Sequence, residues 1–110
     1  MSEFLEYVKE VFEQFGSIQT RKMFGGYGIY HKGVMFGLVA DETLYLKADM
    51  ETVKFFEARE LEPFEYNKGG KVIKTSYSMA PTEILDDPDE AVVWAQRSHE
   101  AALRSKSVAK

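Results

Sequence analysis

Any chemistry on this chain has to come from a short list of groups. Cysteine is absent, so no thiolate nucleophile, disulfide or cysteine-ligated metal is available. Histidine occurs twice, as His31 in a predicted hairpin turn and His99 on a predicted helix. Neither belongs to an HExxH pair, and no Gly-x-Ser-x-Gly elbow accompanies them, so no base is set beside a metal or a nucleophile. Their plain readings are an exposed turn residue and a packed helix residue. The acidic run Asp86, Asp87, Asp89, Glu90 lacks the spaced oxygen ligands and central glycine of a calcium loop, and helix capping accounts for it better. Gly25-Gly26-Tyr27-Gly28 has the composition of a phosphate cradle. Such cradles open a helix, however, and none is predicted here. The residues imply no catalytic constellation, no cofactor and no metal.

Binding chemistry remains. Arg21, Lys22, Tyr45, Lys47 and Lys74 fall in adjacent predicted strands, with Tyr27 in the glycine-rich turn between two of them. Basic groups interleaved with aromatics can hold a nucleic-acid backbone and stack its bases, or meet a protein partner. The bland alternative is an amphipathic, solvated sheet face. A net charge of −4 counts against a generic nucleic-acid binder. The distribution is more informative: residues 2–15, 49–61 and 80–110 carry −3, −2 and −2, while residues 18–48 and 62–79 carry +2 and +1. A two-layer protein built this way has an acidic helical side and a mildly basic sheet side.

The elements that must position these groups read as follows. Residues 21–49 hold five of the eight glycines and the aromatics Phe24, Tyr27, Tyr30, Phe36 and Tyr45, the pattern of a meander of short antiparallel strands. Residues 3–15 carry an apolar stripe at helical spacing, with Ser2 as cap and Gly16 as a left-handed stop. Strands are predicted over Ile18–Phe24, Gly28–Tyr30, Val34–Ala40 and Thr43–Ala48. Gly33 closes a hairpin, and Gly37 marks a bulge or close backbone approach. Asp49 is the expected cap of a helix over Met50–Arg59, with Val53, Phe56 and Phe55 turned inward. Phe64–Asn67 and Lys71–Met79 flank the hairpin signal Lys68-Gly69-Gly70. Asp87, Pro88 and Glu90 open a last helix running to about Arg104, with Val92, Ala95, His99, Ala102 and Leu103 on one stripe.

This order predicts an α+β fold: two layers, a mostly antiparallel sheet of about five strands, and three helices covering one face. One domain spanning residues 2–104 is expected, with residues 105–110 as a frayed tail. An uncovered sheet face and open edges predict a homodimer. Glu3 and Glu6 stand where a signal peptide is basic, and no apolar run approaches about 18 residues. The expectation is therefore a soluble, cytoplasmic protein without membrane contact.

One combination of motifs is specific. Arg21-x-Met23-Phe24-Gly25-Gly26-Tyr27-Gly28-Ile29-Tyr30, then Gly33-Val34-Met35-Phe36, then Leu44-Tyr45-Leu46-Lys47-Ala48-Asp49 closely resembles the TfoX/Sxy N-terminal domain family. Tyr77-x-Met79-x-Pro81, the acidic stretch and the Trp94-Ala95 helix are similar too, so the resemblance covers about residues 3–104. It implies a two-layer α/β domain like that of the secretion chaperones. It also implies a bacterial, non-enzymatic co-regulator of transcription for competence (DNA uptake), working through protein contacts with the transcription machinery or the cyclic-AMP receptor protein. Full-length members carry a second, helical C-terminal domain, so this chain resembles either a stand-alone or a truncated member. Direct nucleic-acid binding through the basic strand face is the alternative, as is a stand-alone domain of unestablished function.

Overall fold

The computed structural model describes residues 3–23 and 25–108; the cap expected at Ser2 and the strand end at Phe24 lie outside them. The element order is α1 (Glu3–Val11), β1 (Gln19–Met23), β2 (Gly26–His31), β3 (Val34–Ala40), β4 (Thr43–Lys47), α2 (Val53–Glu57), β5 (Pro63–Lys68), β6 (Lys71–Met79), a 3₁₀ turn (Thr82–Asp86) and α3 (Pro88–Val108). The strands form one antiparallel sheet in the order β1-β2-β3-β4-β6-β5. This is the predicted α+β class, with six strands where about five were expected.

Tight turns set the meander. Lys32-Gly33, Asp41-Glu42 and Gly69-Gly70 all have positive φ, between +50° and +84°, the pairing whose twist matches the flanking strands of a two-residue hairpin. At Gly37 both expected features occur together. The β2–β3 register slips between Ile29 and Tyr30, and a Cβ on Gly37 would stand 3.2 Å from the Tyr45 carbonyl oxygen.

Residues alternate between the two sides of the sheet. Ile29, Gly37, Leu46 and Ser78 share one register row, and this side carries the core. Ile29, Phe36 and Leu46 are fully buried with Leu5, Val8 and Phe12 of the first helical segment, and Phe56 meets Trp94 at 5.2 Å. Helices α1, α2 and α3 all contribute to this cluster.

Several helical expectations need correction. Helix α1 ends at Val11 rather than Phe15, because three-residue hydrogen bonds from Glu13 to Glu10 and from Phe15 to Phe12 tighten the chain into turns. Gly16 then has φ +147°, not the left-handed helical value, where the backbone passes the His31 ring. Helix α2 is only Val53–Glu57. The Asp49 carboxylate instead accepts from the Glu51 and Thr52 amides and holds a separate turn ahead of it. Phe55 is exposed, beneath the Arg97 guanidinium at 3.8 Å, and only Val53 and Phe56 turn inward. Helix α3 is capped by Asp87 as expected but continues to Val108, since no glycine or proline follows Arg104 to stop it. Its buried stripe is Ala91, Trp94, Ala95, Ser98, Ala101 and Ala102, while Leu103 is exposed. Small residues let the helix lie close on β3 and β4. Among the described residues, no helix is long and apolar enough to cross a membrane.

Candidate interaction surface

The second side of the sheet carries no helix among the described residues. One register row crosses five strands there: Arg21, Gly28, Leu38, Tyr45 and Met79. Alternation adds Met23, Tyr30, Met35, Lys47, Tyr77, Phe64 and Tyr66 to the same side. No carboxylate stands at a strand position of this face; Glu65 pairs with Lys74 across β5 and β6 on the opposite one.

The face partly covers itself. Met23 Sδ, the Tyr30 ring and Met35 Sδ converge on Gly28, within 3.1–3.2 Å of where a Cβ would stand. The Arg21 guanidinium lies 5.2 Å from the Tyr30 ring centre. Tyr45 meets Phe64 edge-on at 4.9 Å, and Phe64 stacks with Tyr66 at 6.4 Å. The result is a half-buried floor of aromatic rings and thioethers with cations standing in it. Rings provide rigid contact area and thioethers adapt to irregular shapes, which suits recognition rather than bond-making.

Lys47 sits where this floor breaks. Its ammonium donates to Ser76 Oγ at 2.5 Å and lies 5.3 Å from the Tyr77 ring centre. Burial lowers its pKa, partly offset by the Asp49 charge. Burial also pushes the Tyr77 phenol up to about 12, helped by nearby Tyr30. The Tyr77 hydroxyl donates to the Met35 carbonyl at 3.4 Å, bridging from β6 to β3.

The sequence-predicted set therefore divides. Arg21, Tyr45 and Lys47 come together on the uncovered face. Lys22 and Tyr27 oppose one another on the helical side, and Lys74 stands on that side beyond the helices. Tyr30, Phe64, Tyr66 and Tyr77 belong to the surface although they were not singled out. Alternation along each strand hints at them, but joining the strands into one face requires the cross-strand register. The two histidines, far apart in sequence, lie side by side with ring centres 4.9 Å apart. Nδ1 of His31 is 2.8 Å from the Ser17 carbonyl oxygen, and Nε2 of His99 is 3.2 Å from that of His31. Burial lowers the His99 pKa. Among the described residues, no group of three or more His, Cys, Asp or Glu side chains is placed to hold a metal.

Fold and surface together define an α+β domain built on a six-stranded antiparallel sheet with helices on one side and an aromatic, basic face on the other. The chain belongs to the TfoX N-terminal domain family, whose model matches residues 10–102. It is 32% identical over 74 residues to the DNA transformation protein TfoX1 of Aliivibrio fischeri, covering 67% of this chain and 34% of that one. It is 25% identical over 99 residues to the protein Sxy of Escherichia coli K12, covering 90% of this chain and 47% of the relative. The chain thus spans between a third and a half of the length of these relatives.

Proposed function

We propose that this domain is a non-enzymatic regulatory module of bacterial DNA transformation that works by docking the uncovered sheet face on a protein of the transcription machinery. The observation that carries the reading is the composition of that face: aromatic rings, methionines and the cations Arg21, Lys47, Lys68 and Lys71, with no carboxylate at its strand positions. Surfaces rich in aromatics, methionine and arginine are those that interface cores favour. The name of the Aliivibrio fischeri relative supplies the process, DNA transformation.

The test is capture from bacterial lysate by the immobilised domain, with Tyr45→Glu as the face variant and Lys74→Glu as a control on the other side. The wild type and Lys74→Glu should retain a transcription factor, such as the cyclic-AMP receptor protein, or a polymerase subunit, and Tyr45→Glu should lose it. Equal recovery by all three, or no such protein with any of them, sinks the reading.

A second reading, direct nucleic-acid binding, is favoured by one observation. Among the described residues neither Arg21 nor Lys47 forms an ion pair with a carboxylate, which leaves both free for phosphates. It predicts gel shifts at ~50 mM salt that weaken steeply as salt rises and vanish with Arg21→Glu. No shift at micromolar protein removes it.

A further inference from the structure

The bulge at Gly37 has a second effect. β3 and β4 pair only from Gly37–Leu46 onward, so Met35 and Lys47 face each other across a gap without backbone pairing. The last turns of α3 border this gap. The result is an open, shallow depression of about 330 Å³ whose lining includes Met35, Lys47, Tyr77, Ala102, Ser105 and the exposed Lys106. Bulges are one way a sheet opens a side-chain site beside a broken ladder.

The charges in this notch do not balance. Lys47 and Lys106 both line it, and no carboxylate does. The nearest acid along the chain, Asp49, is engaged by Arg104 at 2.6 and 3.2 Å. The carboxyl end of α3 contributes roughly half a negative charge, too little to offset two ammonium groups. A half-buried cation ordinarily finds a partner, because removing it from water without one is costly. Lys47 has one hydroxyl, Ser76 Oγ, and an aromatic face. The hydroxyl of Ser105 adds a donor at the rim.

We propose that this notch is a binding site for a small oxyanion of the phosphate or carboxylate type, held between the Lys47 and Lys106 ammonium groups with Ser105 as an additional donor. The notch shares Met35, Lys47 and Tyr77 with the edge of the docking face proposed above, but Ala102, Ser105 and Lys106 of α3 line it as well, and an anion titration tests it separately from partner capture. The lowered pKa of Lys47 agrees with a cation that lacks its counter-charge.

The test is an amide NMR titration of the full chain at low ionic strength with inorganic phosphate, with N-acetylglutamate amide, and with sodium chloride at matched ionic strength. Saturable shifts should centre on Gly33, Met35, Lys47 and Ser105. Affinity should fall about tenfold in Lys47→Met and about threefold in Lys106→Gln, the size expected for losing a partly screened charge contact. If phosphate binds more tightly the source is a free or nucleotide phosphate; if the carboxylate does, it is an acidic side chain. In the wild type, phosphate should also raise the pKa read from the Lys47 Nζ resonance, a result that does not depend on whether Lys47→Met folds. Shifts reproduced by sodium chloride alone, no saturation with either anion, or a Lys47 pKa unmoved by phosphate would overturn the site.

Discussion

Arg104 grips Asp49 through two contacts, Nε to Oδ2 at 2.6 Å and Nη2 to Oδ1 at 3.2 Å, and so ties the last turns of α3 to the loop that opens α2. The same carboxylate accepts from the Glu51 and Thr52 amides. The Arg104 hydrogen bonds, then these amides, hold the Asp49 carboxyl at about 2. A carboxyl depressed in the folded state adds stability that is complete above its unfolded value of about 4 and is lost as pH falls toward the folded one. Urea midpoints measured from pH 5 down to pH 2 should therefore fall in the wild type. Both Arg104→Met and Asp49→Asn should flatten that limb, the first while keeping the carboxylate that accepts from the Glu51 and Thr52 amides. An unchanged slope in either variant would show that the pair contributes nothing to acid sensitivity.

His99 responds in a neighbouring window. Burial, with the nearby His31 and Lys32, lowers its pKa, while the hydrogen bond to the His31 carbonyl and the Glu100 charge oppose this only in part. A depressed histidine is most stabilising when neutral, so its contribution is present above about pH 6.5 and drains as pH falls through the folded value. His99→Gln keeps an N–H donor but cannot titrate. Its melting temperature should be less sensitive than the wild type's between pH 7 and pH 5, as read by circular dichroism.

Tyr77 sets the alkaline side. Its phenol ionises near 12 in the folded protein against about 10 in the unfolded chain. The unfolded state thus gives up its proton first, and stability declines as pH rises from about 10 toward 12. Tyr77→Phe should remove that decline. At neutral pH it should cost less than about 1 kcal/mol, because the Met35 hydrogen bond it deletes is long at 3.4 Å.

The adjacent glycines of the signature motif should respond differently to alanine. A Cβ on Gly26 would stand 2.0 Å from the Val39 carbonyl oxygen, whereas one on Gly25 meets nothing within 4 Å. Gly25 is held at φ +77°, which costs an alanine about 1–2 kcal/mol. Gly26→Ala has to move β3 backbone inside the sheet, and its loss should exceed about 4 kcal/mol, the range reserved for core disruption. Denaturant unfolding of the two variants distinguishes these outcomes; equal losses would contradict the close approach.

One buried group points the other way. Ser98 Oγ is fully buried in α3 and has no hydrogen-bond partner among the described residues. Ser98→Ala removes an uncompensated hydroxyl and raises helix propensity, so stability should increase by about 1 kcal/mol. A loss of that size would indicate a bound water satisfying the hydroxyl.

The sequence by itself determined what depends on neighbours along the chain. Val34–Ala40 and Lys71–Met79 have the boundaries that their apolar and β-branched runs predict, and Gly33 and Gly70 turn the chain where only positive φ will do. Asp87 caps α3 for the same local reason. Glycines of the TfoX motif answer to steric demands of the sheet: backbone against backbone at Gly26, and side chains folded over Gly28.

Tertiary structure decided the remainder. Residues 3–15 carry a helical stripe throughout, yet α1 stops at Val11, where Phe12 and Phe15 turn onto the Phe36 ring. Asp49 has the residue type of a helix cap and accepts from the Glu51 and Thr52 amides, but its ion pair with Arg104, 55 positions away, is made only by the fold. Arg21 and Lys22 are adjacent in sequence and lie on opposite sides of the sheet; which side helices cover depends on where α3 packs. The surface row Arg21, Gly28, Leu38, Tyr45, Met79 is a product of register across five strands. Register follows from turns and bulges acting together over distance, and a pattern read along one strand carries no information about its neighbour's offset.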